Sequence, residues 1–335
     1  MKKLTILILV LFTGFSTMLT ACSCSKEDES IIRLNEVTRS IFYAPLYIAI
    51  NNGYMEDEGI EIELTTGNGA DKCMTALVSG SADIALMGPE ATIYVVEQGK
   101  KDAPKVFGQL TKRDGSFIVS RTEKNNFTWQ DLTNSEILGG RRGGVPAMTL
   151  EYALKQNGLI DGQNITINYD VEFANMSGAF VGGTGDYVTL FEPNASELVK
   201  NGKGHIVASV GSMAGEVPFT AFTANESYIN NNRDKLKSFL KAIMKGYNYL
   251  ITASLDDIAK ALQPHFTGSD IEIIKSAIKS YKDIDAWSES PIMKESAYNR
   301  LITIMQEAGE LTNAIEFEKI VDNSIATEVM QELIA

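Results

Sequence analysis

The residues of this sequence that could bind or react lie in short segments, each of which follows a strand-like run and precedes a helical one. The richest is Gly-Gly-Arg-Arg-Gly-Gly-Val-Pro at 139–146, where backbone N–H groups together with Arg141 and Arg142 could hold an anion. It is not a phosphate-binding P-loop, because no Gly-Lys-Ser/Thr follows, and its glycine spacing does not suit a dinucleotide fingerprint. A solvated charged turn is the alternative interpretation of these residues.

A second group of segments could instead bind a planar molecule that carries amino groups. Segment 38–43, Thr-Arg-Ser-Ile-Phe-Tyr, offers two aromatic rings, and Tyr43 could stack on such a ligand. The carboxylates of Glu90, Asp186 and Glu192 could accept hydrogen bonds from its amino groups. Each residue also has a structural interpretation, because an aromatic ring can belong to the core and a carboxylate can cap a helix or complement its dipole.

Signals of catalysis or metal binding are poor. The chain has only 2 histidines, and we interpret both His205, at a strand start, and His265, in the helical C-terminal region, as surface residues. No cluster of Cys, His and carboxylates has the spacing of metal ligands. We therefore predict a protein that is not an enzyme and that needs no cofactor and no metal.

The elements that must position these segments alternate between strand and helix. Strand-like runs precede Pro45, Pro89, Pro146 and Pro193, and helical runs follow them, as expected of a residue that fits the first helical turn. This alternation indicates βαβ units and an α/β fold with mainly parallel sheets. In an open α/β sheet, ligands bind outside the carboxyl ends of the strands, where helix N-termini also point. The strand-to-helix corners are therefore the predicted site.

The alternation occurs twice along the chain, which predicts two lobes. Lobe 1 should comprise residues 31–115 and 223–335, and lobe 2 should comprise residues 122–217. The extended segments 116–121 and 218–222 should be hinge strands that cross between the lobes. Beyond them, apolar residues follow a helical stripe, so the C-terminal region should consist of helices packed on lobe 1.

The N-terminus has the pattern of a secretion signal. Lys2 and Lys3 precede an apolar run, and a polar stretch follows. Leu-Thr-Ala immediately before Cys22 resembles the lipobox of bacterial lipoproteins. The resemblance implies removal of residues 1–21, a diacylglycerol on Cys22, and a tether over 22–30 that holds the protein at the cell membrane on its extracytoplasmic side. An ordinary signal peptide with a chance cysteine is the alternative.

The composition limits the classes of partner. The 335 residues include 30 Lys and Arg against 43 Asp and Glu, for a formal net charge of −13 at pH 7. This acidic balance argues against nucleic acid, which requires a basic surface. Cys73 lies in a helical run and is predicted to be a buried small hydrophobe, so we expect no structural disulfide.

Several motifs resemble those of one family. The chain has Phe-Tyr-Ala-Pro-Leu-Tyr-Ile-Ala at 42–49, Gly-Tyr-Met-Glu-Asp-Glu-Gly-Ile at 53–60 and Ser-Gly-Ser-Ala-Asp-Ile-Ala at 79–85, and segments 144–146 and 185–193 stand in the same register. Together they resemble the solute-binding proteins of ABC importers for nitrate, sulfonate, taurine and thiamine-pyrimidine compounds. The resemblance implies a two-lobed periplasmic-binding-protein-like (type II) fold. It also implies a monomer that closes on a small molecule and delivers it to a permease with its ATPase.

The resemblance assigns ligand-binding roles position by position. Eight positions correspond to binding positions of the family. Arg141 and Glu192 are also predicted to bind ligand, because they lie in the strand-to-helix corners. The eight are Ser40, Tyr43, Asn68, Gly88, Glu90, Gly143, Gly144 and Asp186.

Two questions stay open in the sequence. A thiamine-type pyrimidine would use Tyr43 and the carboxylates, whereas a sulfonate or similar anion would use Arg141 and Arg142. We favour the heterocycle, because several carboxylates but one arginine pair cluster at the corners. A lipoprotein that senses a ligand and signals to a membrane partner is an alternative function.

Pyrimidine-synthesising enzymes of the same family need a cysteine-rich iron motif and a histidine in the first lobe, and neither occurs before Ser116.

Overall fold

The computed structural model describes residues 30–334. The predicted signal segment, Cys22 and all but the last residue of the tether lie outside the described residues. Within the described part of the chain, no helix has both the length and the apolar character needed to cross a membrane.

Strands and helices alternate along most of the described chain. The strands are β1 (Ile31–Glu36), β2 (Glu61–Thr66), β3 (Ile84–Met87), β4 (Pro104–Thr111), β5 (Phe117–Ser120), β6 (Glu136–Leu138), β7 (Thr166–Asn168), β8 (Tyr187–Leu190), β9 (His205–Ser209) and β10 (Thr220–Asn225). The helices up to β10 are α1 (Ala44–Asn51), α2 (Tyr54–Asp57), α3 (Ala70–Val78), α4 (Glu90–Glu97), α5 (Val145–Gln156), α6 (Met176–Val181), α7 (Asn194–Lys200) and α8 (Val210–Ala214). The helices after β10 are α9 (Glu226–Asn231), α10 (Arg233–Thr252), α11 (Leu255–Leu262), α12 (Ile271–Asp283), α13 (Glu295–Glu307), α14 (Phe317–Ile320) and α15 (Ser324–Ile334).

The strands form two five-stranded sheets, one in each lobe. The first has the order β2-β1-β3-β10-β4 and the second has the order β7-β6-β8-β5-β9. In each sheet one strand, β10 or β5, runs antiparallel to both of its neighbours, so four strands run in a common direction. The predicted α/β class with mainly parallel sheets is confirmed.

The proline corners lie where the sequence pattern predicts them. Pro45 and Pro146 stand in the first turns of α1 and α5, and Pro89 and Pro193 immediately precede α4 and α7. Because these four helices follow strands or their corner loops, their N-termini point to the carboxyl edges of the two sheets.

The predicted hinge strands at 116–121 and 218–222 are wrong as bounded. β5 lies wholly inside the second sheet and β10 wholly inside the first, so the chain crosses between lobes earlier, in 112–116 and 210–219. An extended run in the sequence does not reveal whether its backbone pairs within one sheet or passes between two. The two crossing segments lie side by side, since Val217 N–H donates to the Lys112 carbonyl at 2.9 Å.

The first crossing segment contains a buried carboxyl group. Asp114 accepts hydrogen bonds from Ser116 N–H at 2.6 Å and from the Thr149 hydroxyl of α5. Burial raises the pKa of Asp114 to about 7, because the charged form loses hydration. Gly211, in the second crossing segment, packs directly on Asp114, and a Cβ there would lie 2.2 Å from the Asp114 carbonyl oxygen.

The C-terminal helices pack on lobe 1 as expected, and they also reach lobe 2. The Tyr281 hydroxyl of α12 donates to the Gly115 carbonyl at 3.2 Å and accepts from Glu192 N–H at 2.9 Å. From the other side, Lys155 of α5 donates to the carbonyl of Glu307 in α13 at 2.7 Å. The helical region therefore contacts both lobes beside the crossing segments.

Asp114→Asn should remove a pH dependence of stability. The folded-state pKa of Asp114 is raised above its unfolded value, so the folded state holds the proton more tightly and stability falls as pH rises from about 4 to about 7. The asparagine keeps an acceptor for Ser116 N–H and carries no charge. We expect the variant to unfold a few degrees higher than wild type near pH 8, and at a similar temperature near pH 4. A temperature difference that is the same at both pH values would contradict this account.

Candidate ligand-binding site

A cavity lies between the lobes at the carboxyl ends of the strands. Its walls come from the corners after β1, β2 and β3 in lobe 1 and after β6, β7 and β8 in lobe 2. Its volume, taken as the space open to the centres of water molecules, is about 60 Å³. The cavity therefore suits a small ligand enclosed by both lobes.

Aromatic rings form much of the wall. Tyr43, Phe173, Phe191 and Phe219 line the cavity, and the ring centroids of Phe173 and Phe191 lie 5.0 Å apart in an edge-to-face arrangement. Phe42 packs behind them against Phe191 and Phe219. The sequence pattern pointed to Tyr43 and missed Phe173 and Phe219, because neither follows a recognisable motif. Both interpretations of Tyr43 hold, since its ring is buried and also lines the cavity.

Glu90 places a buried carboxylate in the same cavity. Its side chain is 1% exposed, and Oε1 accepts from Val145 N–H of lobe 2 at 3.2 Å. Oε2 has no hydrogen-bond partner among the described residues. Burial raises the pKa of Glu90 to about 7, while the backbone donors and Arg141 act in the opposite direction. Oε2 is buried against Gly88, beside the cavity.

The predicted arginine pair is divided between two places. Arg141 lines the cavity, and its Nε lies 3.7 Å from Oδ1 of Asp71 in α3, across the cleft. Arg142 turns away, because its guanidinium lies 3.8 Å from the ring centre of Tyr169 and pairs with Asp161 at 3.9 Å. Of the two arginines, only Arg141 could therefore contact a ligand in the cavity, and its guanidinium already lies beside the Asp71 carboxylate.

The glycine corners bring the two lobes close together. Asn68, Gly88 and Gly144 line the cavity, and the neighbouring Gly143 carbonyl accepts from the Tyr94 hydroxyl of lobe 1 at 2.8 Å. Gly88 has no room for a side chain. A Cβ there would lie 1.9 Å from Glu90 Oε2 and 2.8 Å from a methyl carbon of Val145.

Four predicted binding residues do not line the cavity: Gly143, whose carbonyl is described above, and Ser40, Glu192 and Asp186. Ser40 donates its hydroxyl to the Glu192 carbonyl at 2.5 Å and so joins the two lobes. The Glu192 carboxylate accepts from Ser196 N–H of the following helix α7 at 2.9 Å. Asp186 lies at the amino end of β8, where it accepts from Glu136 N–H at 3.0 Å, at the sheet edge opposite the cleft.

A second polar cluster lies behind the first corner. Glu36 is fully buried, pairs with Arg39 at 2.7 Å and accepts from the Tyr47 hydroxyl at 2.6 Å. His265 stacks on Tyr47 and contacts Arg39, so it is half-buried rather than on the surface as expected; burial lowers its pKa to about 4. These contacts hold the loop that carries Ser40. Residues 30–334 contain no group of three or more side chains placed to hold a metal ion.

The family follows from the match to the NMT1/THI5-like family model over residues 41–253. The chain belongs to this family, and its fold is that of the solute-binding proteins of ABC importers. A putative binding protein, YtlA of Bacillus subtilis (strain 168), is 41% identical over 95% of this chain and 96% of its own length. The formylaminopyrimidine-binding protein of Halalkalibacterium halodurans is 21% identical over 90% of this chain and 98% of its own.

Solved structures share the fold at low sequence identity. The nitrate-binding protein NrtA of Synechocystis PCC 6803 has a TM-score of 0.72 at 16% identity, covering 91% of this chain and 89% of its own. The alkanesulfonate-binding protein SsuA of Xanthomonas axonopodis pv. citri, bound to MOPS, has a TM-score of 0.69 at 15% identity, covering 90% of this chain and 98% of its own.

Gly88→Ala should block the closed cleft without unfolding either lobe. The added methyl group would overlap Glu90 Oε2 and press on Val145, both of which meet at the lobe boundary. We expect ligand-induced thermal stabilisation to be lost, while the melting temperature without ligand changes little. Gly178→Ala is the matched control, because a Cβ at Gly178 meets nothing within 4 Å. Unchanged ligand stabilisation in Gly88→Ala would show that this contact does not limit closure.

Proposed function

We propose that this chain is the extracytoplasmic solute-binding protein of an ABC importer, which captures a small amino-bearing heterocycle of the thiamine-pyrimidine kind between its lobes. It would present the ligand to a permease with its ATPase. The observation that carries the proposal is a cavity with aromatic walls and a buried carboxylate oxygen without a partner among the described residues.

The aromatic walls favour a planar ligand. Rings of Tyr43, Phe173 and Phe191 offer apolar faces and edges to a flat molecule, and stacking adds specificity to the area that is buried. The small volume argues against a large molecule such as a flavin. We therefore propose a ligand with a single ring and short substituents.

The free oxygen of Glu90 favours a ligand with a hydrogen-bond donor. A buried carboxylate oxygen without a partner is unfavourable by about 1–3 kcal/mol, and an amino group of the ligand that reached Oε2 would remove this penalty. A negatively charged ligand would disfavour the ionised form of Glu90, whose pKa burial already raises to about 7. The distant relative whose name states formylaminopyrimidine binding supports the same class of ligand.

A small sulfonate or another anion such as taurine or nitrate is the second candidate. Arg141 lines the cavity near the N-terminus of α5, and structural neighbours include the sulfonate- and nitrate-binding proteins. Two contacts weigh against it: Arg141 lies beside Asp71, and the first N–H of α5 donates to Glu90. A ligand-sensing lipoprotein would use the same site, and an adjacent permease gene would favour import.

Phe173→Ala should weaken binding of the thiamine pyrimidine about 2- to 10-fold, the range expected for losing one aromatic contact. Isothermal titration would compare the pyrimidine, its formylamino derivative, taurine, an alkanesulfonate and nitrate. Phe127→Ala is the control, because Phe127 is also half-buried in lobe 2 but packs in a cluster away from the cavity.

Saturable binding of the pyrimidines, weakened in Phe173→Ala alone, would support the proposal. Binding of the sulfonate or nitrate that disappears in Arg141→Ala would establish the second candidate. Binding of none of the five compounds would reject both ligand classes.

Membrane attachment through Cys22 is also part of the proposal. It rests on the lipobox-like Leu-Thr-Ala-Cys and on the extracytoplasmic role of the family. In a bacterial host, Cys22→Ser should release the protein from the membrane fraction, because the thioether-linked lipid cannot form. Cys24→Ser, two residues further on, should leave the protein membrane-bound. Immunoblots of the membrane and soluble fractions would measure the distribution of each variant. If both variants are released equally or retained equally, lipidation at Cys22 is contradicted.

A further inference from the structure

The cavity wall includes a carboxylate that the sequence motifs did not indicate. Glu172 lies in the corner after β7, directly before Phe173, and both residues line the cavity. This corner packs on the corner after β6, because a Cβ at Gly140 would lie 3.6 Å from Met176 Sδ and 4.0 Å from a ring carbon of Phe173. The residues that follow Glu172 therefore hold it in the lobe-2 wall of the cavity.

No structural role within residues 30–334 accounts for this carboxylate. Glu172 precedes the short helical turn Phe173–Asn175, but its side chain does not cap that turn, and only its carbonyl accepts, from Asn175 N–H at 2.8 Å. The side chain is exposed and forms no ion pair with a described residue. By contrast, the carboxylates of Asp186 and Glu192 bind backbone N–H groups of lobe 2. The charge of Glu172 is thus available to a molecule in the cavity.

The charges of the cavity wall do not balance. Its lining residues include three carboxylates, those of Asp71, Glu90 and Glu172, and one basic side chain, that of Arg141. Arg141 lies 3.7 Å from Asp71 and so compensates that carboxylate. Glu172 has no such partner, and a cleft lined by an excess of one charge raises the local concentration of the opposite ion. The wall therefore favours a cation.

The residue after Glu172 gives a second reason to expect a cation. Phe173 is half-buried in the same wall, and its ring packs edge-to-face on that of Phe191 with the centroids 5.0 Å apart. An aromatic ring attracts a cation through its quadrupole, and a carboxylate attracts it through its charge. Together the two neighbours suit an alkylammonium group better than a hydroxyl group or an anion.

We propose that Glu172, with Phe173, selects ligands that carry a positive charge, such as a protonated amino substituent on the ring bound in the cavity. This inference rests on the proposed binding function and specifies the charge of the ligand. The ring would lie among the aromatic walls, and its ammonium substituent would lie at the lobe-2 corner. A neutral ligand of equal size would fit the same space and bind more weakly.

Two pairs of probes of nearly equal shape test the charge preference. The aminomethyl and hydroxymethyl forms of the thiamine pyrimidine differ by an ammonium against a hydroxyl group, as do benzylamine and benzyl alcohol. By isothermal titration near pH 7, we expect wild type to bind the cation about 3- to 10-fold more tightly than its neutral counterpart. Salt at about 0.5 M should reduce this ratio, because it screens charges that are exposed to solvent.

Glu172→Gln should remove most of the preference. The amide has nearly the same size but no charge, so the cations should bind about 3-fold more weakly and the neutral probes within about twofold of wild type. Asp170→Asn is the matched control, because it removes an exposed carboxylate from the same loop that does not line the cavity. This control should keep the preference of wild type. Both side chains are exposed, so both variants should melt as wild type does.

The outcomes separate the charge preference from the ligand class. A preference for the cation in either pair, removed by Glu172→Gln and kept in Asp170→Asn, supports the inference. Without such a preference, or if both variants or neither of them lose it, the role of Glu172 is overturned. If only the benzylamine pair shows the expected pattern and no pyrimidine binds, the pyrimidine class fails and the charge preference stands. If the neutral pyrimidine binds at least as tightly as the cation, the pyrimidine class stands and the charge preference fails.

Discussion

The cleft depends on the paired crossing segments that hold two sheet edges face to face. Residues 112–116 and 210–219 hydrogen-bond to each other, and the close approach of Gly211 to Asp114 leaves no space between them. Because they are paired, the lobes cannot slide independently, and the carboxyl ends of both sheets stay opposed. This arrangement fixes the position of every helix N-terminus and corner loop that lines the cavity.

Much of the fold and the location of the site follow from local sequence patterns. Proline after a strand-like run marks a corner because its fixed φ and missing N–H suit a first helical turn. For this reason Pro89 and Pro146 correctly predicted where α4 and α5 begin. Specific contacts were harder to predict. Asp186 precedes β8 and accepts from Glu136 N–H, and Glu192 accepts from Ser196 N–H of the following helix α7. Only the three-dimensional path of the chain decides whether such a carboxylate faces the cavity. Phe219 reaches the cavity from a crossing segment whose role the sequence does not reveal.

The cavity combines features that this fold can vary separately. The backbone corners and their glycines bring the lobes together, whereas the side chains that line the cavity come from different loops. Phe173 and Arg141 belong to loops of lobe 2, and Glu90 belongs to the first turn of a lobe-1 helix. Proteins of similar fold can therefore bind nitrate, sulfonates or pyrimidines, because fold and ligand are set by different residues.

Tyr281 connects three parts of the molecule with one hydroxyl group. It donates to Gly115 in a crossing segment and accepts from Glu192 N–H of lobe 2, while its own helix belongs to the C-terminal region. Such a group acts as a third attachment beside the two crossing segments, at the back of the cleft. Rotation of the lobes would then have an axis near Tyr281, so the mouth between Asp71 and Arg141 would widen most. Ligand would enter and leave by that rim, and the width of the rim would limit which molecules can pass.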